Sequence, residues 1–261
     1  MKTVILCGGY GTRIRNVADN IPKPMIPIGE LPILWHIMKY YSKFDFDEFV
    51  LCLGYKSQVI KDFFLNYGAS TRDFTLRLGK ESSIEYHTDF EESNWKVTLA
   101  ETGQDTMTGG RINRIKKYVE NDDCFMLTYG DGVSDIDIGK LVKFHKSHGK
   151  LMTMTSAQPD GRFGALDIAS DNKVQEFQEK PKGDGSWINA GFFVCEPEVF
   201  DYITQGDSTV FEQQPLKNLA KNGEIYTYKH DGFWMPMDTL RDKNVLSEKW
   251  DNDDAPWKTW D

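Results

Sequence analysis

Short apolar runs alternate with helical patterns through the first half of the chain, and this alternation limits the fold more than any other feature. "TVILC" (3–7) and "FVLCLGY" (49–55) have the composition of buried strands. Between them, "PILWHIMKYYSKF" (32–44) places apolar residues at helical spacing, with Pro32 suited to a first turn. A strand–helix–strand unit of this kind predicts a parallel α/β sheet.

The pattern continues and then changes in the second half. "CFMLTYGDG" (124–132) predicts a strand that ends in a turn, and a helix and a further strand follow at 137–149 and 151–158. Over 163–195, shorter runs separated by polar turns predict antiparallel or mixed strands, and "TLRDKNVLSEKW" predicts a helix near the end. We found no repeat, linker or low-complexity tract, so we expect one α/β domain over 1–261 with a β-rich insertion.

Composition excludes several classes of protein. With 261 residues, 39% hydrophobic content and a net charge of −9, the chain can build a sizeable core but offers no broad basic face for nucleic acid. Its apolar runs are shorter than the roughly 18 residues that span a membrane. The N-terminus lacks a signal-peptide pattern. The cysteines, Cys7, Cys52, Cys124 and Cys195, lack paired spacing, which predicts reduced core thiols in a cytoplasmic protein.

A glycine-rich segment, "LCGGYGTRIRN" (6–16), follows the first predicted strand. Gly8, Gly9 and Gly11 allow tight turns whose N–H groups can surround an anion, while Thr12 and Arg13 add a hydroxyl and a guanidinium. Open α/β sheets bind ligands at the carboxyl ends of their strands. The segment therefore predicts a phosphate-binding loop.

Three other interpretations of this loop were weighed. A dinucleotide fingerprint requires a third glycine, but Ile14 stands at that position. It also requires an acidic residue after the second strand, which instead ends in Leu53-Gly54. A Walker loop requires Gly-Lys-Ser/Thr, where the chain has "GTR". A glycine turn without a ligand is the remaining alternative, and its place after the first strand argues against it.

Lys23 stands between two prolines in "PKPMIPIG". Because Pro22 and Pro24 restrict the backbone, the ammonium of Lys23 has few directions in which to point. With Arg13 it would form a two-cation clamp for a polyphosphate, and a solvated lysine in a proline-rich loop is the alternative.

Two carboxylates are candidate ligands of Mg²⁺, which often takes one or two carboxylates together with substrate phosphates. Asp131 follows a predicted strand in "YGDG", and Asp238 follows apolar neighbours in "FWMPMDT". The alternatives are a turn former at Asp131 and a helix N-cap at Asp238. Asp135 and Asp137 match the D-x-D pattern of metal-dependent glycosyltransferases, but we interpret them as the cap of the following helix.

Three further segments suit a sugar phosphate or a nucleotide. "FQEKPKGDG" carries Glu179 and Lys180, and "WINAGFF" carries Asn189 before two small residues. "DTMTGGRI" offers hydroxyls and Arg111 ahead of a helix with its apolar face at Ile112, Ile115 and Val119. His36 is interpreted as a core residue or as one that supports a residue of the site from behind.

In chain order, "GGYGTR", "KPM", "YGDG", "EKP", "INAGFF" and "PMD" resemble the sugar-1-phosphate nucleotidyltransferases. Longer strings, "PILWHIMK", "LGYK", "MTGGR", "GRFGALDI" and "APWKTW", are similar to the members that use CTP and α-D-glucose 1-phosphate, and the likeness runs from Met1 to Asp261. The resemblance implies a Rossmann-like nucleotide-diphospho-sugar transferase fold with a mostly parallel mixed sheet and helices on both faces. It also implies Mg²⁺ and the products CDP-glucose and pyrophosphate, for 3,6-dideoxyhexose branches of cell-surface polysaccharide such as O-antigen.

The resemblance also implies roles for individual residues, with Arg13 and Lys23 as the catalytic cations and Asp131 and Asp238 on the metal. The implied nucleotide-binding residues are Leu6, Cys7, Gly8, Gly9, Tyr10, Gly11, Thr12, Arg13, Lys23, Thr106, Gly110 and Arg111. The implied sugar-phosphate residues are Gly130, Glu179, Lys180 and Asn189. The chain departs from the family at Cys7, where alanine is common, and over 79–93.

The sugar phosphate is itself the nucleophile of the implied reaction. Its second pKa near 6 makes it largely dianionic at neutral pH, so in-line attack needs charge neutralisation rather than a general base. Base choice depends on a few hydrogen bonds that the sequence does not specify, so UTP or dTTP remain alternatives to CTP. A D-x-D glycosyltransferase and a nucleotide-binding module are the alternatives from other classes.

Two tryptophans near the C-terminus predict burial. Trp257 and Trp260 would be disfavoured by several kcal/mol if both were left in water, so we expect them on the chain's own core or across a subunit boundary. The resemblance implies a homo-oligomer, a trimer or a hexamer.

Overall fold

The computed structural model describes residues 1–11, 14, 21–79, 83–159, 165–170, 172–178 and 186–260. Strands β1 to β15 are Thr3–Leu6, Pro27–Ile28, Leu31–Pro32, Glu48–Leu53, Phe74–Arg77, Ser83–Tyr86, Lys96–Glu101, Phe125–Tyr129, Gly132–Ser134, Met152–Ala157, Ala165–Ile168, Val174–Gln178, Ile188–Cys195, Ile225–His230 and Trp234–Pro236. Helices α1 to α8 are Ile33–Ser42, Ser57–Leu65, Tyr67–Thr71, Thr108–Arg114, Lys116–Val119, Ile138–His148, Gln214–Lys221 and Leu240–Asp251.

Seven strands form the central sheet in the order β14-β10-β13-β8-β1-β4-β7. Neighbouring strands are parallel except at β13, which runs antiparallel to both β8 and β10. This arrangement confirms the predicted α/β class with a mostly parallel, mixed sheet. The polar-turn region also behaves as predicted, because β11 and β12 pair as an antiparallel hairpin and β13 joins the sheet antiparallel.

Alternation along the strands sends apolar side chains to both faces of the sheet. Ile5 of β1 belongs to one buried cluster with residues of α1 and α6, whereas Val4 and Leu6 belong to a second cluster with residues of α4 and α7. Helices therefore cover both faces, as expected for a parallel sheet that is buried on both sides.

The first and eighth strands are neighbours, and their register brings their carboxyl ends together. Leu6 lies opposite Tyr129 in the parallel ladder, and the Gly130 N–H donates to the carbonyl of Leu6 at 3.1 Å. The glycine-rich segment and the "YGDG" turn thus emerge side by side at one edge of the sheet, where doubly wound folds bind their ligands.

The helix predicted after Gly110 is interrupted. Ile115 has a non-helical conformation, with φ −96° and ψ 1°, and separates α4 from the single turn of α5. The predicted apolar face is nevertheless correct, because Ile112, Ile115 and Val119 are all buried.

The C-terminal segment packs on the chain's own core. Trp257 is fully buried, with its ring 5.6 Å from that of Phe233 and 6.4 Å from that of His36, and Trp260 packs on Trp35. For Trp257 the first of the two predicted burial modes is therefore confirmed, whereas Trp260 is only partly buried against the same core. His36 is buried as predicted, and its Nε2 lies 2.9 Å from the carbonyl oxygen of Ile28.

The four cysteines are free and buried, as predicted. In the part of the chain that the structure covers, every helix is too short or too polar to cross a membrane.

Candidate active site

A cavity of about 390 Å³ opens where the carboxyl ends of β1 and β8 meet. Most of the residues predicted for the nucleotide and the metal line it: Leu6, Cys7, Gly8, Gly9, Tyr10, Gly11, Lys23, Thr106, Arg111, Asp131 and Asp238. Gly130, which was predicted for the sugar phosphate, lines it as well. Thr12, Arg13, Glu179 and Lys180 lie outside the described residues. Gly110 does not line the cavity; its N–H points to the carbonyl of Thr209 at 3.3 Å.

A second cavity, of about 270 Å³, adjoins the first. It is lined by Asn189, Gly191 and Trp234, and it shares Tyr129, Asp131 and Asp238 with the first cavity. The two candidate metal ligands therefore lie at the boundary between two compartments, which is where a reaction that joins two bound molecules has to occur.

Lys23 lies between these two carboxylates. Its Nζ donates to Asp131 Oδ2 at 2.6 Å and to Asp238 Oδ1 at 2.7 Å. Burial disfavours the ammonium, but the two acidic partners outweigh that effect and raise the pKa of Lys23. The lysine is thus charged at any working pH and is the cation that neutralises the pair.

Short main-chain connections fix the position of both carboxylates. β15 pairs with β9 so that Pro236 lies opposite Gly132, and the Met237 N–H donates to the carbonyl of Asp131 at 2.8 Å. The helix that follows starts with a capping box between Thr239 and Asp242. The N-cap of this helix is therefore Thr239, and the alternative role of Asp238 as N-cap is wrong.

The carboxylate pair suits a divalent cation. Oxygens of Asp131 and Asp238 converge on a single point, where the Lys23 ammonium provides positive charge. Among the described residues, no three acidic, histidine or cysteine side chains cluster as a metal site, so this pair would need further ligands such as water or substrate phosphates. That donor set matches the way proteins usually bind Mg²⁺.

Arg111 holds several main-chain segments together beside the first cavity. Its side chain is 4% exposed, and its two terminal nitrogens donate to the carbonyls of Leu53, Gly103, Gly8 and Gln104 and to the hydroxyl of Thr102, at 2.6–3.1 Å. Burial lowers the pKa of this guanidinium. Arg111 thus links the glycine loop to the loop before α4 by binding neutral acceptors, which indicates an influence on the shape of the first cavity through the main chain.

The glycine loop packs closely on that guanidinium. A Cβ atom at Gly8 would lie 2.2 Å from Arg111 Nη1, which explains why a glycine is needed there. Gly11 adopts φ +59°, in the left-handed region. Tyr10 packs against the ring of Tyr55 at 5.1 Å, and its hydroxyl donates to the carboxylate of Asp105.

The D-x-D pattern has a structural explanation. Asp137 is the N-cap of α6, and its Oδ1 accepts from the Lys140 N–H at 2.8 Å, as predicted. Asp135 Oδ1 lies 2.9 Å from His230 Nε2. Both acids are thus engaged within the fold.

Sequence reasoning missed two side chains of the site, Tyr129 and Glu212. Tyr129 lines both cavities and donates its hydroxyl to Glu212 Oε1 at 2.6 Å. Its position immediately before Gly130 was a usable signal, because it is the last residue of a strand that enters the site. Glu212 stands 83 residues further along the chain in a segment without a motif, so the sequence carried no signal for it.

The sheet is mostly parallel, and its carboxyl edge carries a glycine-rich loop suited to phosphate, a lysine and two carboxylates. These are the features of an enzyme that transfers nucleotidyl groups. Comparison with known proteins agrees, since the sequence model of the family described as nucleotidyl transferase matches residues 2–239. The chain belongs to the nucleotidyl transferase family.

Individual relatives within this family are similar to the chain over its full length. The chain is 51% identical over 261 residues to glucose-1-phosphate cytidylyltransferase of Salmonella typhimurium, covering 100% of both chains. It is 44% identical over 260 residues to a probable glucose-1-phosphate cytidylyltransferase of Bacillus subtilis, again covering 100% of both. Among solved structures, HddC of Yersinia pseudotuberculosis superimposes with a TM-score of 0.69 at 25% identity, covering 95% of this chain and 99% of that one.

Proposed function

We propose that this protein is a glucose-1-phosphate cytidylyltransferase, which converts CTP and α-D-glucose 1-phosphate to CDP-glucose and pyrophosphate. The observation that carries the proposal is the pair of adjoining cavities that share Asp131 and Asp238, with Lys23 between the two carboxylates. Identity of 51% over the full length of a curated enzyme with this activity supports the choice of substrates.

The first cavity would take the nucleotide. In this proposal the N–H groups of Gly8, Gly9 and Gly11 surround the phosphates, and Arg13 adds positive charge. Lys23 pairs with the α-phosphoryl group, where negative charge is highest during the transfer. Leu6, Cys7, Tyr10, Thr12, Thr106, Gly110 and Arg111 complete the proposed nucleotide site.

The second cavity would take the sugar phosphate. Asn189 lines it, and Gly130, also proposed for the sugar phosphate, lines the first cavity next to Asp131, which lines both. Glu179 and Lys180 are proposed to bind the sugar hydroxyls and the phosphate. The bound phosphate is already a dianion at neutral pH, so its oxygen attacks in line without a general base, and the residues around it serve to position two anions that repel each other.

Asp131 and Asp238 are proposed to hold Mg²⁺, which when bound would neutralise charge on the triphosphate and on the leaving pyrophosphate. Lys23 would then exchange its carboxylate partners for the α-phosphate. Replacing Asp131 by asparagine should abolish metal-dependent turnover with an unchanged circular dichroism spectrum. A variant with normal metal dependence would return Asp131 to a turn-forming role.

Each nucleoside triphosphate in turn, with glucose 1-phosphate and Mg²⁺, tests the proposal through pyrophosphate release. We expect CTP to be preferred, and radiolabelled pyrophosphate should exchange into CTP only when glucose 1-phosphate is present. Preference for UTP or dTTP would move the protein to another specificity within the family. Transfer from a nucleotide sugar without pyrophosphate chemistry would refute the proposal, and the structural roles of Asp135 and Asp137 argue against that result.

We also propose that residues 1–261 form one catalytic domain and that it assembles as a trimer or hexamer. The core extends past the family match to Trp257, which supports a single unit. Because that ring is buried within its own chain, it provides no argument for a subunit interface. Light scattering tests the assembly: a mass of 30.0 kDa would mean a monomer.

A further inference from the structure

A chain of hydrogen-bonded side chains connects the two cavities through Glu212. Thr108 donates its hydroxyl to Glu212 Oε2 at 2.6 Å, and Tyr129 donates its hydroxyl to Glu212 Oε1 at 2.6 Å. Both oxygens of one carboxylate are therefore used, each by a hydroxyl group. Bonds of this length to an ionised acceptor are among the stronger ones in proteins.

Only one of the two donors reaches the second cavity. Thr108 lines the first cavity and is the first residue of α4, while Tyr129 lines both cavities. Beyond Tyr129 lies Asn189, whose amide interacts with the tyrosine hydroxyl and whose Oδ1 accepts from the Gly191 N–H at 2.8 Å. The network thus extends from the start of α4 to a residue proposed to bind the sugar phosphate.

The Tyr129 hydroxyl has a single proton, which it donates to Glu212 Oε1. Since the single proton goes to Glu212, the lone pairs of the phenolic oxygen are left to accept hydrogen bonds from the sugar side. The ring is also fixed by close packing, because a Cβ atom at Gly191 would lie 2.4 Å from it.

The side chain of Glu212 is not what holds its own segment in place. Main-chain bonds attach that segment to α4, from Met107 N–H to the Asp207 carbonyl and from Gly109 N–H to the Thr209 carbonyl, both at 2.8 Å. These bonds do not involve the carboxylate, so a change at this side chain can be separated from a change in the surrounding backbone.

We propose that Glu212 is a positioning residue, which orients the Tyr129 hydroxyl so that its oxygen accepts a hydrogen bond from a sugar hydroxyl of the sugar phosphate, and which is itself held in place by Thr108. The inference rests on the proposed function, since it assigns the second cavity to the sugar phosphate. It predicts that a substitution of Glu212 weakens binding of the sugar phosphate far more than binding of the nucleotide, although Glu212 contacts a residue of the proposed nucleotide cavity.

The test is Glu212→Gln, which keeps the shape but removes the charge. We expect the KM for glucose 1-phosphate to rise about tenfold, the loss of one charge-assisted hydrogen bond, with the KM for CTP unchanged and kcat within about threefold. Equal changes in both KM values, or none, would overturn the inference. Glu198→Gln is the matched control, because Glu198 is exposed and lies outside both cavities.

A double-mutant cycle separates positioning from general damage. If Glu212 acts through Tyr129, Tyr129→Phe should raise the same KM, and adding Glu212→Gln to it should have no further effect. Additive effects would refute action through the tyrosine. Thr108→Val should give a smaller rise in the same KM, because it removes a residue that holds Glu212 rather than the carboxylate itself. A rise confined to the KM for CTP would contradict the proposal that this network acts on the sugar phosphate.

Calorimetric titration with glucose 1-phosphate provides a readout that does not need turnover. Weaker binding by Glu212→Gln than by the unaltered protein is the expected result, and equal binding would overturn the inference. Failure of the proposed function has a different signature, namely an unaltered protein that forms no CDP-glucose and binds no glucose 1-phosphate. Such a result would remove the sugar phosphate as the ligand of the second cavity and the inference with it.

Discussion

Replacing Arg111 by lysine keeps the positive charge but removes the planar guanidinium group and the arrangement of its hydrogen-bond donors. The guanidinium donates to five acceptors, four of them main-chain carbonyls, whereas a lysine ammonium has three N–H bonds. The carbonyls of Leu53 and Gly8 keep a second donor, the N–H groups of Thr102 and Tyr55, and Gln104 is exposed to water. The half-buried Gly103 carbonyl is therefore the acceptor most affected. A buried acceptor left without a donor costs about 1–3 kcal/mol, so we expect the free energy of unfolding to fall by about 1–3 kcal/mol.

The same substitution should affect one substrate selectively. The carbonyl of Gly8 is bound by Arg111, so the glycine loop loses an attachment that determines the direction of its neighbouring N–H groups. We expect the KM for CTP to rise about tenfold or more, while the KM for glucose 1-phosphate changes little. Urea unfolding gives the stability, and steady-state kinetics with each substrate varied in turn gives the two KM values.

A control lies on the same helix. Arg114 forms an exposed ion pair with Asp207, at 2.6 Å, and solvent weakens such pairs. Arg114→Lys should therefore leave both stability and kinetics nearly unchanged. The reasoning about Arg111 is refuted if Arg111→Lys unfolds at the same urea concentration as the unaltered protein and has the same KM for CTP.

Three further predictions concern other parts of the molecule. Lys23→Ala should lower kcat far more than it weakens glucose 1-phosphate binding, because its charge matters most when the α-phosphoryl is five-coordinate; steady-state kinetics measures this, and an unchanged kcat would remove Lys23 from the mechanism. Trp257→Ala should lower the free energy of unfolding by about 3–5 kcal/mol, since the ring is fully buried; a urea midpoint equal to that of the unaltered protein would contradict the described packing. Burial lowers the pKa of His36 to about 4, so the unfolded chain takes up a proton first as pH falls. Stability should therefore decrease between about pH 6.5 and 4, by up to about 1.4 kcal/mol per pH unit, and urea midpoints across this range should show a smaller slope in His36→Gln.

The sequence was sufficient to predict the strands and the residues that meet at their ends, because local apolar patterns and strand direction determine both. The apolar runs at 3–7, 49–55 and 124–132 overlap β1, β4 and β8, which lie side by side in the sheet. Because parallel strands end at the same edge, residues placed after these runs had to meet, and Gly8 and Asp131 do line one cavity.

The contacts that the sequence did not predict have a different physical origin. Arg111 lines the first cavity, where it is proposed to serve the nucleotide, but most of its acceptors are main-chain carbonyls that any sequence would supply, so nothing in the sequence identifies them. β14 was missed because its residues are half-exposed or exposed and form no apolar run. The exposed hairpin of β5 and β6 was missed for the same reason, and it includes part of the segment that departs from the family strings.

The three-residue ladder between β9 and β15 has a consequence for the synthesis of this protein. Lys23 and Asp238 are 215 residues apart in the chain, and the ladder that brings Asp238 to the site needs Trp234–Pro236. A nascent chain on the ribosome can therefore build most of the central sheet and the glycine loop before the second carboxylate has been translated. With Asp238 as a proposed metal ligand, we expect the growing polypeptide to gain activity only when nearly its whole length has emerged from the ribosome.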